Sequence, residues 1–217
     1  MIDFHTHTLL SDGLLCPAEL VQRAKEIGYK VLGITDHVDS TKLDWIIPPL
    51  LNFCQEINQV ENNITIIPGV ELTHLPPSLI KRYAYQARQM GVKLVVVHGE
   101  TIVEPVPRGT NLAALEADID ILAHPGLITD EEAKLAAQKK IYLEISARKG
   151  HCLTNGRVAS MARKHKAPLI INTDAHSPED LITRSKAEKI LRGAGLEKEE
   201  LKQVFQNSKK LMEKLSS

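Results

Sequence analysis

The stretch Leu94-Val95-Val96-Val97-His98-Gly99-Glu100 decides the fold. Four consecutive aliphatic residues, three of them β-branched, stop abruptly at a histidine and a glycine. A run this short and this rich in valine reads as a strand buried on both faces, as in a parallel sheet. The same pattern recurs along the chain, at 1–5, 31–36, 64–70, 93–97, 120–124, 141–146 and 169–174. Between these runs the apolar period changes to that of helices. Pro17 opens one helix, Leu20, Val21, Ala24 and Ile27 give it an apolar stripe, and Gly28 stands where a C-terminal cap belongs. Thr129 and Glu132 have capping-box spacing, and Asn155 is placed to cap a segment containing Val158, Met161 and Ala162. Ser177-Pro178 reads as the start of a helix leading to Gly193, and a last helix is expected at about 198–215.

Strand and helix in strict alternation predict an α/β protein with a parallel sheet. Periodicity does not choose between a closed barrel and an open, doubly wound sheet. The chain lacks a Gly-x-Gly-x-x-Gly turn after its first strand and lacks a P-loop, which weighs against a nucleotide-binding open sheet.

The length, 217 residues, suits a single domain spanning 1–217, and 43% hydrophobic residues are enough for a proper core. Lysine plus arginine equals aspartate plus glutamate at 27 each, so no overall basic field favours nucleic acid. Cys16, Cys54 and Cys152 are odd in number and form no Cys-x-x-Cys pair, which argues against a disulfide framework or a thiolate zinc site. The start, Met1-Ile2-Asp3-Phe4-His5, lacks the features of a signal peptide, and no apolar run reaches the roughly 20 residues of a membrane span. A soluble, cytoplasmic protein is the expectation.

The histidines carry the chemistry. Of nine, six (His5, His7, His37, His98, His124 and His176) fall at or just past the end of an expected strand. Strand ends make up roughly a tenth of such a chain, so about one of nine would fall there by chance; barrel active sites are built at that face. Asp12, Asp36, Glu71 and Asp174 join them at the same ends. Imidazole and carboxylate without thiolate suit zinc, manganese or iron at a reactive site. In His5-x-His7 and Asp174-x-His176 the spacing of two lets both side chains of each pair point one way from a strand.

Taken together, His5-Thr6-His7, Ser11-Asp12-Gly13, Thr35-Asp36-His37, Pro68-Gly69-Val70-Glu71, His98-Gly99-Glu100, Ala123-His124-Pro125-Gly126 and Thr173-Asp174-Ala175-His176 resemble the motifs of the PHP family, the polymerase and histidinol phosphatase superfamily. The resemblance covers nearly the whole chain. It implies a distorted seven-stranded (βα)7 barrel of TIM type and a centre of three divalent metals. By that analogy His5, His7, Glu71 and Asp174 hold one metal, Glu71, His98 and His124 a second, and Asp12, His37 and His176 a third, with Glu71 bridging. All nine positions carry residue types the family uses. Glu71 and Asp174 are expected to be catalytic as well as ligating.

Metals that acidify a water and neutralise phosphoryl charge make a Ser-His-Asp nucleophile unnecessary, and no Gly-x-Ser-x-Gly elbow is present. Arg108 and Arg148 are candidates to grip phosphate, and His151 to protonate the leaving alkoxide. Asp36 is read as a helix cap or as orienting a ligand histidine. His74 and His165 are read as ordinary, and Glu100 and Glu144 as a helix cap or salt bridge. The function implied is hydrolysis of a small phosphomonoester, histidinol phosphate being one candidate. A phosphodiesterase acting on short oligonucleotides is the second reading, disfavoured by the scarcity of aromatics, 4% of residues. A third is a metal-free RNA-processing subunit or scaffold, since a related barrel occurs in ribonuclease P.

Overall fold

A computed structural model describes residues 1–216. Strands and helices alternate in the order β1 (Ile2–Asp3), α1 (Pro17–Glu26), β2 (Val31–Ile34), β3 (His37–Val38), α2 (Leu43–Val60), β4 (Thr65–Leu72), α3 (Pro77–Gln89), β5 (Leu94–His98), α4 (Thr110–Leu115), β6 (Ile121–Ala123), α5 (Asp130–Lys139), β7 (Tyr142–Ser146), α6 (Asn155–His165), β8 (Leu169–Asn172), α7 (Arg184–Gly193) and α8 (Lys198–Ser216). The path β1-β2-β4-β5-β6-β7-β8 is parallel throughout. A parallel bridge between Thr6 and Ala175 brings the first strand to the last. The result is a nearly closed barrel of seven parallel strands, as the motifs imply.

Two expected strands differ in detail. The run 31–36 is interrupted at Thr35-Asp36 and resumes as β3, which pairs with β4 in the same register as β2: Val31 faces Thr65 and His37 faces Glu71. The run 1–5 is a strand only at Ile2–Asp3. The Asp3 side chain accepts the His5 N–H at 3.1 Å and so takes that amide out of the ladder. The seam of the barrel is closed by side chains as much as by backbone. Asp3 also accepts the Thr173 N–H at 3.2 Å and the Thr173 hydroxyl at 2.6 Å, and Asn172 Oδ1 accepts the Phe4 N–H at 3.0 Å. Burial pushes the Asp3 carboxyl up to about 6 even though these donors favour its ionised form.

Alternation along each strand sends apolar residues either into the barrel or outward against the helices. Phe4, Val31, Ile67, Leu94, Val96, Ile121 and Ile170 fill the barrel, and Leu211 and Leu215 of α8 plug its lower end. Val70, Leu72, Val95, Val97, Leu143 and Ile145 point outward and pack with the helices. Each such side chain contributes about 1.5–3 kcal/mol on leaving water. No helix among the described residues is long and apolar enough to cross a membrane.

Among the expected helix signals, Thr129 and Glu132 form the capping box of α5, and Gly28 ends α1 with φ +91°. Ser177-Pro178 does not start α7. It opens a single 3₁₀ turn, Pro178–Asp180, closed by the Asp180 carboxylate, and α7 begins at Arg184 under a Thr183 cap. Asn155 is the first residue of α6, and its amide spends its bonds on the Ser146 backbone at the end of β7.

Asp3→Ala leaves the buried His5 and Thr173 N–H groups without an acceptor and the Thr173 hydroxyl with only the His5 carbonyl at 3.5 Å. It is expected to lower unfolding free energy by about 3 kcal/mol in urea titrations, whereas Asp118→Ala, at an exposed ion pair, changes it by less than about 0.5 kcal/mol. Equal midpoints for the two variants would contradict the role given to the seam.

Candidate metal centre

Strand alternation carries the chemistry to the mouth as directly as it carries the core. On β5 the inward set Leu94 and Val96 ends at His98. On β4, Ile67 is followed two and four positions on by Gly69 and Glu71. Val31 and Gly33 of β2 lead in the same phase to His37, and Ile170 of β8 leads through Asn172 to Asp174. Two donors reach the mouth against this alternation. His5 follows the inward-facing Phe4 directly, after the break made by Asp3. His124 follows the inward-facing Ala123 and has a left-handed backbone at φ +27°. Asp174 is likewise left-handed, at φ +54°. Such backbones are sparsely populated by non-glycine residues and cluster at functional sites. The β5 and β6 loops meet at Gly126, φ +62°, where a Cβ would lie 1.8 Å from the Glu100 carbonyl oxygen.

Glu71 lies at the centre. Its Oε1 is 3.2 Å from His5 Nε2 and 3.6 Å from His124 Nε2, and its Oε2 is 2.7 Å from His37 Nδ1 and 3.6 Å from His7 Nε2. Asp174 Oδ1 stands 3.3 Å from His7, 3.4 Å from His176 and 3.7 Å from His5. Asp12 Oδ1, on the loop after β1, lies 3.3 Å from His176 and 3.6 Å from His37. His98 and His124 group with His151. All nine expected donors therefore gather at one mouth, but His98 has Glu104 at 3.1 Å as its carboxylate neighbour rather than Glu71. A cavity of about 310 Å³ opens over them, lined also by Lys42, Thr73, His74 and Arg148.

The fit to cations is a matter of hydrogen bonding. Among the described residues, the buried side-chain atoms without a hydrogen-bond partner are eight, and all belong to His5, His7, Glu71, His124, Glu144 and Asp174. Buried polar atoms are otherwise almost always satisfied, so a knot of imidazole nitrogens and carboxylate oxygens aimed at one another calls for a charge between them. Divalent cations of borderline softness fit this donor set.

Without cations, protons take that part. Burial lowers the affinity of His5 for a proton, but Glu71, Glu144 and Asp174 outweigh it and hold its pKa well above the usual value. His37 is raised for a similar reason, chiefly by Glu71 working against burial. Burial works to raise Glu71, yet His5 and His37 hold it well below the carboxylate range. Burial brings Asp174 up to about 7. A cation entering at neutral pH must expel these protons.

Other expectations are distributed unevenly. Arg148 lines the cavity, its Nη1 donating to the Asp174 carbonyl at 3.0 Å. Arg108 is exposed, just before α4, and does not line the cavity. His151 is buried beside His124, with ring centroids 4.1 Å apart, and burial, helped by the neighbouring His124, takes its pKa down to about 3. Glu100 caps α4 by accepting from Gly109 N and Asn111 N. Glu144 holds His5 Nδ1 at 2.8 Å, leaving Nε2 turned to the centre. Asp36 neither caps a helix nor orients a histidine: it accepts from Thr8 N, the Thr8 hydroxyl and the Ser11 hydroxyl, pinning the loop that carries Asp12. His165 is paired with Asp130 at the end of α6. His74, read as ordinary, stands at the cavity with φ +52°, and Glu104 was signalled by nothing except its loop.

Comparison with known proteins accords with this picture. The family model described as PHP domain matches residues 3–97. An uncharacterized protein of Methanocaldococcus jannaschii is 46% identical over 94% of each chain. A probable phosphatase of Clostridium botulinum is 29% identical, covering 92% of this chain and 88% of its own. Among solved structures, a chain of archaeal ribonuclease P with mature tRNA superposes with a TM-score of 0.73 at 16% identity, covering 98% of this chain and 91% of that one. Histidinol phosphate phosphatase of Lactococcus lactis, complexed with zinc, L-histidinol and phosphate, gives 0.58 at 17% identity, covering 90% and 94%. At such identities the two structures share the fold.

Chelator treatment is expected to lower the melting temperature, since a ligand present at a hundred times its dissociation constant adds about 2.7 kcal/mol to the native state. Cation affinity is expected to fall as pH drops from 8 to 6, with proton release seen by calorimetry in buffers of different ionisation heat. A melting curve indifferent to chelator and added zinc would contradict the centre.

Proposed function

Because the chain belongs to the PHP domain family, we propose that it is a metal-dependent phosphoesterase that hydrolyses a small phosphomonoester at the mouth of its barrel. That it is a hydrolase of the PHP phosphatase type follows from the family and its phosphatase-named relatives. The observation that carries the finer reading is the set of eight orphaned, buried atoms, which cations would satisfy and which lie beneath a cavity suited to a small molecule. His5, His7, Asp12, His37, Glu71, His98, His124, Asp174 and His176 would hold the cations, three in the family's pattern. When bound, such ions supply an acidified water at neutral pH and positive charge against the phosphoryl oxygens.

The chain's own groups do the rest. Glu71, wholly buried, stands within 3.6 Å of four imidazoles and touches His37 Nδ1 at 2.7 Å, which makes it the carboxylate shared by the donors. Glu144 orients His5 and fixes which ring nitrogen faces inward. Arg148, anchored on the Asp174 carbonyl, offers a planar cation on the cavity wall where a phosphoryl group would lie. Lys42 lines the same cavity.

The superposition on a ribonuclease P chain favours a scaffold only at the level of fold. A scaffold reading leaves the buried, unpaired atoms at the mouth without a use.

Purified protein loaded with zinc or manganese, offered a panel of phosphomonoesters and short oligonucleotides, is expected to release phosphate from the monoesters. Cleavage confined to oligonucleotides would replace this reading with the phosphodiesterase, and bound metal without turnover would revive the scaffold. Glu71→Gln is expected to reduce kcat by at least about a hundredfold and to lower metal content, whereas His165→Ala leaves both close to wild type. Equal losses in the two variants would overturn the sorting of the histidines.

A further inference from the structure

The loop between β5 and α4 carries a carboxylate into the centre. Glu104 Oε2 is 3.1 Å from His98 Nε2 and 3.6 Å from His74 Nε2, and its Oε1 is 3.4 Å from His151 Nε2. The His98 tautomer makes this pairing informative. Its Nδ1 lies 3.1 Å from the Gly99 carbonyl oxygen, which can only accept, so Nδ1 donates there and Nε2 is the nitrogen turned to Glu104. An imidazole nitrogen and a carboxylate oxygen facing each other at this distance are a pair of atoms that one cation can hold.

The loop is built to hold that position. Thr101 is buried and bonds His151 Nδ1 at 2.8 Å, directing Nε2 of that ring toward Glu104. Glu100 ties the loop's start to its end through Gly109 N and Asn111 N. Val106 N donates to the Glu104 carbonyl at 3.0 Å, and Val103 lies over Gly150, where even an added Cβ would find its methyls at 3.5 and 3.7 Å. His98, His124 and His151 can each offer a nitrogen within 4.8 Å of the others.

We propose that Glu104 and His151 are metal ligands, completing with His98 and His124 an outer cation site of three imidazoles and one carboxylate. This adds two donors to the nine expected, and it rests on the metal-dependent reading above. Three nitrogens and one oxygen favour zinc or a similar transition ion over magnesium.

The test is a zinc titration of the chelator-stripped full chain against a chromophoric competing chelator, which reads binding without turnover. Glu104→Gln and His151→Ala are each expected to weaken one zinc equivalent by at least about tenfold and leave the others unchanged, while Glu199→Gln, on the exposed face of α8, binds as wild type. Circular dichroism of the stripped proteins separates ligand loss from misfolding: both variants are expected to match wild type. Wild-type affinity at every equivalent in both variants would overturn the assignment while leaving the metal-dependent function intact. A wild-type chain that binds no zinc would overturn both.

Discussion

Glu71, with no contact to water, sits among four imidazoles, and the rest of the molecule is arranged around the need to balance that concentration of charge. A carboxylate in an apolar barrel is expensive alone, and four neutral rings cannot all donate to it in the geometry seen. The inner core below supplies the burial that keeps these groups in place, with α8 closing the end away from the mouth. The loops above supply further carboxylates. Protons satisfy the cluster in part, cations would satisfy it better, and both follow from one packing arrangement.

Much of this was legible in the sequence because two regularities coincide. Strands buried on both faces announce themselves as short aliphatic runs, and a histidine or carboxylate ending such a run falls at one rim of the barrel. His37, Glu71, His98 and Asp174 were found this way, and their inward phase follows from the apolar residues before them. The seven main strands were legible for the same reason.

What escaped depends on contacts between distant stretches. Nothing near residue 3 says that Asp3 will break its own strand and bind Thr173. The phase of His124 depends on a left-handed residue that no pattern marks, since the proline and glycine follow it. Glu104 lies six residues beyond its strand and returns only because Glu100 folds the loop back. Arg108, chosen on the same chemical grounds as Arg148, is exposed four residues further along that loop. Ser177-Pro178 was a sound helix start in isolation, but Asp180 closes it after one turn. The fold itself does not settle the duty of the chain: a chain of ribonuclease P and a histidinol phosphate phosphatase both superpose on it.

The seam joining Asp3 to Thr173 has a consequence for the order of assembly. Its partners are 170 positions apart, so the first strand has no final neighbour on that side until nearly the whole polypeptide is available. A growing chain therefore exposes His5, His7 and His37 long before Asp174 and His176 exist to complete their surroundings. The rim that sets the distances between these side chains is therefore complete only in the finished barrel.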